Sequence, residues 1–195
     1  MPSMFPSKEF LAFIGILLVV LGYVFYYRDL FRRSTKPHAF SWFIWTLTMS
    51  VGFAAQISED AGPGSWILLT ETFFSGSIFF LSLFIGEKGY TVSDWIALAL
   101  ALLSLAAWKI TSSPFLSVIL ITLVDIFAFY PTVRKSFWKP YEESLFLWAS
   151  SACKYVFLLF ALDVFSFITA FYQACLVALN AGFVSFVVIR RRQKR

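Results

Sequence analysis

The sequence predicts an all-α membrane protein with seven transmembrane helices, arranged as two parallel three-helix repeats joined by a linker helix. Three observations predict it. Of the 195 residues, 59% are hydrophobic and only 14% are charged, against about 45–50% and about 25% in a soluble domain. The apolar residues fall in continuous runs rather than in the alternation that a transmembrane β-strand requires. A motif in the first third of the chain recurs 103 residues later.

The scarcity of charge excludes several classes. A soluble globule needs more polar side chains for its surface than this chain has. A disordered chain and a nucleic-acid-binding domain are excluded as well, despite a formal net charge of +5. Seven spans of about 20 residues use most of the length, so no soluble catalytic domain fits.

The elements follow in order. The run 10–27 is long for a signal-peptide core, and Tyr and Phe stand where small cleavage-site residues belong, so it reads as the first span. The second span, 40–57, begins after Lys36-Pro37, and the third, 66–86, after Gly62-Pro63-Gly64. The fourth, 94–111, is the linker. The fifth, 115–132, follows Pro114, which suits a helix start because its missing N–H is unpaired there anyway. The sixth, 144–162, follows Lys139-Pro140, and the seventh is 167–189. The expected division is residues 1–89 for the first repeat, 90–112 for the linker, and 113–195 for the second repeat with a basic tail.

Lys and Arg set the orientation. Thirteen of the 16 lie on one side: Arg28, Arg32, Arg33 and Lys36; Lys88; Arg134, Lys135 and Lys139; and Arg190, Arg191, Arg192, Lys194 and Arg195. Lys8 and Lys109 lie on the other side, and Lys154 lies within span six. Short basic loops remain in the cytoplasm. The N-terminus is therefore expected outside and the C-terminus cytoplasmic, in a bacterial inner (plasma) membrane.

The repeat aligns Tyr27, Lys36-Pro37, Ser41, Phe43 and Trp45 with Tyr130, Lys139-Pro140, Ser144, Phe146 and Trp148. Chance would give about one identity in such a window. The offset carries spans one, two and three onto five, six and seven. With one span between them, the two triplets have the same orientation and are related by an axis along the membrane normal, an arrangement that builds transporters with a midplane site.

Ionisable groups inside a bilayer need partners or a function. Asp125 and Lys154 each lie ten residues into their spans, both about 15 Å deep, and are expected to pair. Such a pair either locks two helices or is opened by substrate or a proton. Glu71, nearer a span end, is expected to reach the wet interface. Ser77 and Asn180 are equivalent under the offset; they mark a binding site on the pseudo-twofold axis, or simply hydrogen bonds between helices. Trp45 and Trp148, on polar helix faces, either line the pathway or belong to the aromatic belt at the headgroups. Cys153 and Cys175 read as packing residues, and His38 as an interfacial one. The sequence contains no phosphate loop, zinc pattern or nucleophile elbow, so neither an enzyme nor a cofactor is expected.

Three spans, a linker and three more, with a basic turn after the first span of each triplet, resemble the SWEET and PQ-loop transporter superfamily. Tyr130-Pro131-Thr132-Val133, followed by Lys135, resembles the motif that names the PQ-loop family, with Thr132 where that family has Gln. In the first copy Arg28 occupies the place of Pro131. Trp42-x-x-Trp45 has the form of a motif in vitamin-nucleoside transporters of this architecture. SWEET transporters are similar in placing Asn in spans three and seven, which Asn180 matches and Ser77 does not. The resemblance implies alternating-access transport of a sugar, amino acid or vitamin-like nucleoside. The expected substrate site comprises Trp45, Ser77, Asp125, Trp148, Lys154 and Asn180, with protons as a candidate coupling ion through Asp125 and with Pro131 as a hinge. The expected partners are the small-molecule substrate and the lipid bilayer, with homo-oligomerisation left open. The alternative is a membrane sensor or sorting receptor of the same fold that carries nothing.

Overall fold

The computed structural model describes residues 6–110 and 114–194. These form seven α-helices: α1 (Lys8–Phe31), α2 (Ala39–Ser58), α3 (Ser65–Ile85), α4 (Val92–Ile110), α5 (Pro114–Trp138), α6 (Leu145–Ala161) and α7 (Phe167–Gln193). Single 3-10 turns at Gly62–Gly64 and Pro140–Glu142 precede α3 and α6, and no strand occurs among the described residues. The end of the expected fourth span at Thr111, the boundary between linker and second repeat, and the terminal Arg195 lie outside the described residues.

Local signals at the ends of α1 and α7 add to the hydropathic ones. The Ser7 hydroxyl caps α1 by accepting from the Phe10 N–H at 3.3 Å. Ser166 and Thr169 form a reciprocal capping box at the start of α7, and Arg190, Arg191 and Arg192 occupy its last turn, where cations suit the helix dipole. Gly62 adopts φ +76°, which favours glycine, and a Cβ there would collide with the Asp163 carboxylate. One expectation is corrected: the fifth helix does not end near Thr132. Pro131 lies inside α5, which continues to Trp138.

Four segments are long and apolar enough to cross a membrane: Lys8–Phe31, Ala39–Ile57, Gly62–Ile85 and Phe167–Gln193. Their length and apolarity point to a helical membrane protein. Its side chains are sorted accordingly. Phe13, Phe73, Phe80, Phe84 and Phe160 are exposed, whereas Ser41, Thr48, Ser75, Asp125, Lys154 and Asn180 are buried. Lipid solvates such an apolar exterior, and the polar groups must find partners inside.

The helices do not pack in sequence order. α3 lies against both α1 and α2, and α7 lies against both α5 and α6. Across the molecule α1 packs on α6 and α2 packs on α5, while α4 packs on α5 and touches α2. Small residues let these helices approach closely. An added Cβ would come 2.2 Å from Ile67 Cδ1 at Gly15 and 2.5 Å from Ser150 Oγ at Gly22.

Candidate functional site

A small cavity sits where α1, α2, α3, α5, α6 and α7 converge. Its walls are aromatic: Tyr23 from α1, Trp42 and Trp45 from α2, Phe129 from α5, and Trp148 and Tyr155 from α6. Its polar groups are Glu71 and Ser75 from α3, Ser151 from α6 and Asn180 from α7. Its volume is about 30 Å³, enough for water but not for a metabolite.

Three of the six expected site residues line this cavity: Trp45, Trp148 and Asn180. The two indoles meet edge to face with centroids 5.2 Å apart, a favoured aromatic geometry. They differ in one respect. Trp148 Nε1 donates to Glu143 at 3.1 Å, whereas the buried Trp45 Nε1 has no partner among the described residues. The Asn180 side-chain NH2 donates to the Leu176 carbonyl one turn earlier, at 2.8 Å.

Ser77 does not line the cavity. Its hydroxyl bonds Tyr27 OH and the Phe74 carbonyl, and Ser75 lines the cavity instead. Two residues along a helix turn the side chain through about 200°, so 75 and 77 face opposite ways.

The expected Asp125–Lys154 pair is replaced by another. Lys154 pairs with Glu71, whose second oxygen accepts from Tyr155 OH at 2.7 Å. The Lys154 ammonium also lies 4.8 Å from the Tyr155 ring centroid and 5.9 Å from that of Tyr23, within cation–π range. Glu71 therefore faces inward, 7% exposed, and not towards a wet interface. Asp125, 0% exposed, is held by hydroxyls: Thr48 donates to one oxygen at 2.8 Å and Tyr172 to the other at 2.7 Å. Tyr172 is the residue that sequence reasoning missed, and Glu71 the one it turned outward; Thr48 and Tyr155 lie on the polar faces of α2 and α6 expected to line the pathway with Trp45 and Trp148. One signal was available for Glu71, because Glu71, Ser75 and Ser82 recur at steps of four and seven on a single face of α3.

The basic end is closed by a second polar cluster. Lys135 pairs with Glu143 and bonds the carbonyls of Lys36 and Glu142. Ser144 donates to Asp29 at 2.9 Å, and Thr132 to Ser41 at 3.0 Å. These two contacts exchange under the 103-residue offset, which carries Asp29 onto Thr132 and Ser41 onto Ser144. The opposite end is tied by Lys8 to Asp163 at 3.0 Å and by the Asp163 N–H to the Ala61 carbonyl at 2.9 Å.

His38 belongs to the basic end. It is buried beside Asp94, which Arg134 holds through two nitrogens at 2.9 and 2.7 Å. Burial pushes the imidazole down to about 4; Asp94 opposes the shift, and Lys135 and Arg134 add to it. Folded His38 thus binds fewer protons than unfolded His38 between about pH 6.5 and 4. Its neutral form supports the fold above that window, and the support is lost as pH falls through it. The thermal unfolding midpoint in detergent is expected to drop across this range in the wild type, with a shallower slope in His38→Gln. Equal slopes would remove His38 from the account.

No metal-binding group of three or more His, Cys, Asp or Glu occurs among the described residues. No protein-family model, curated protein or solved structure matches the chain.

Proposed function

We propose that the protein is a seven-span carrier of SWEET-like architecture that moves a small polar metabolite by alternating access. The moving parts are α1–α3 and α5–α7, linked by α4, with the N-terminus outside and the C-terminus cytoplasmic. The central cavity carries this reading: helices of both triplets build it, and the repeat-related Trp45 and Trp148 wall it. The packing supports the same view, because each pairing in one triplet has its counterpart in the other, and α1 on α6 corresponds to α5 on α2.

A ligand pocket for a small molecule takes about 300–1,000 Å³, and this cavity is far smaller. Substrate therefore enters when the triplets part at one end. The contacts that give way are those between triplets: Lys135 on the Lys36 carbonyl, Ser144 on Asp29 and Thr132 on Ser41 at one end, and Lys8 on Asp163 at the other. Trp45 offers a free N–H, Ser151 a hydroxyl, and the indole faces a stacking surface, which suits a sugar, an amino acid or a vitamin-like nucleoside. Asp125 is the candidate proton carrier, since hydroxyls and no cation hold it.

The test is uptake into liposomes containing only this protein, with the substrate class selected beforehand by thermal shift. Trp45→Ala and Trp148→Ala are each expected to reduce uptake at least about tenfold, equivalent to about 1.4 kcal/mol, while Ser77→Ala retains it. Asp125→Asn is expected to abolish stimulation by an imposed pH gradient. Ligand binding without uptake would sink the carrier reading in favour of a sensor or sorting receptor.

A further inference from the structure

A second, larger hollow lies on the outside of the bundle. It occupies about 610 Å³ between α4, α5 and α7, lined mainly by Ile96, Leu100, Ile126, Tyr130, Val133 and Leu179. Phe129 is a wall of both this groove and the central cavity. On α5 the exposed or half-buried positions Ile126, Tyr130, Val133 and Phe137 form one stripe, because steps of three and four return to one face. On α7 the stripe is Leu179, Gly182, Phe186 and Arg190. Nothing lies within 4 Å of a Cβ added at Gly182, so that wall is open.

Both stripes run down to unneutralised charge. The Arg190 guanidinium stacks 3.9 Å from the Phe137 ring centroid, and its nitrogens donate to the Phe137 carbonyl at 3.0 and 3.3 Å. Its remaining bond goes to the neutral Gln193 side chain at 2.6 Å. Lys194 bonds the Trp138 carbonyl, and Trp138 is 64% exposed. Neither cation forms an ion pair with a carboxylate among the described residues. An apolar groove that ends, one turn further on, at two cations and an exposed indole has the shape and charge order of a phospholipid beside a membrane interface.

We propose that this groove binds an anionic phospholipid of the leaflet at the basic end. One acyl chain lies along α5 between α4 and α7, and the phosphate sits on Arg190 and Lys194. A second copy of the chain fits less well. Two copies in one membrane present the same basic end at the same level, so their Arg190 and Lys194 repel, whereas an anionic headgroup neutralises them. The proposal concerns the membrane-facing surface and holds whether or not the protein transports anything.

Native mass spectrometry and thermal unfolding of delipidated protein test it, using phosphatidylglycerol and phosphatidylcholine with identical acyl chains. Phosphatidylglycerol is expected to bind more tightly by about fivefold for each basic residue engaged and to raise the unfolding midpoint more. Arg190→Gln/Lys194→Gln is expected to bring it down to the phosphatidylcholine level. Leu100→Trp and Ile126→Trp fill the groove from exposed positions and are expected to weaken both lipids. Inorganic phosphate alone is expected to leave the midpoint unchanged. Equal binding of the two lipids by the wild type would overturn the headgroup site, as would a preference that survives the double substitution. Lipid binding that neither tryptophan variant weakens would overturn the groove. A dimer that Leu100→Trp dissociates would make the second copy the occupant instead.

Discussion

Lys154→Met is expected to destabilise the protein by about 3–5 kcal/mol, because it leaves the buried Glu71 carboxylate without its cation. Tyr155 still donates one hydrogen bond, but a hydroxyl does not neutralise a charge. Glu71→Gln/Lys154→Met is expected to recover most of the loss, since replacing both members of a buried pair is often nearly neutral. Asp125→Asn/Lys154→Met is expected to recover none of it. This cycle, measured by chemical unfolding in detergent, distinguishes the two candidate partners of Lys154. Rescue by Asp125→Asn rather than Glu71→Gln would refute the assignment.

Lys135→Met is expected to cost a similar amount, about 3–5 kcal/mol, with a different local signature. Both Lys135 and Glu143 are 3% exposed, so among the described residues the carboxylate would retain only the Trp148 N–H. The carbonyls of Lys36 and Glu142 would lose their shared donor at the same time. Amide hydrogen exchange is therefore expected to quicken over residues 34–38 and 140–144. Lys135→Met/Glu143→Gln is expected to restore stability but not slow exchange, because the Lys36 carbonyl regains no donor and the Glu142 carbonyl keeps only the Lys36 N–H among the described residues. Slow exchange in the double variant would show that Lys135 does not tie the two loops.

The seven helices and the paired tryptophans were legible because each rests on a strong local signal. Runs of apolar residues fix the helices, and Trp45 and Trp148 are rare residues at equivalent places in a repeat. The partner of Lys154 was not legible. Matching its depth to Asp125 assumed that helices adjacent in sequence are adjacent in space. α7 lies between α5 and α6, while α3 reaches α6, so the carboxylate within reach belongs to Glu71. Ser77 failed for a related reason. The offset fixes its equivalence to Asn180 along the chain, but helical phase decides which side chain faces inward, and on α3 the phase favours Glu71, Ser75 and Ser82. The continuation of α5 through Pro131 also opposed the local rule, since proline removes one helical hydrogen bond.

The brevity of α6 has a consequence for the choice of membrane. Its 17 residues extend only about 25 Å, against a hydrocarbon core of about 30 Å. α1 and α7, with 24 and 27 residues, overshoot the same core. In the proposed seven-span carrier, the bilayer is therefore expected to thin beside α6 and the long helices to tilt, at fractions of a kcal/mol per ångström of mismatch. In that carrier, lipid thickness is a variable that acts directly on the helix carrying both Trp148 and Lys154.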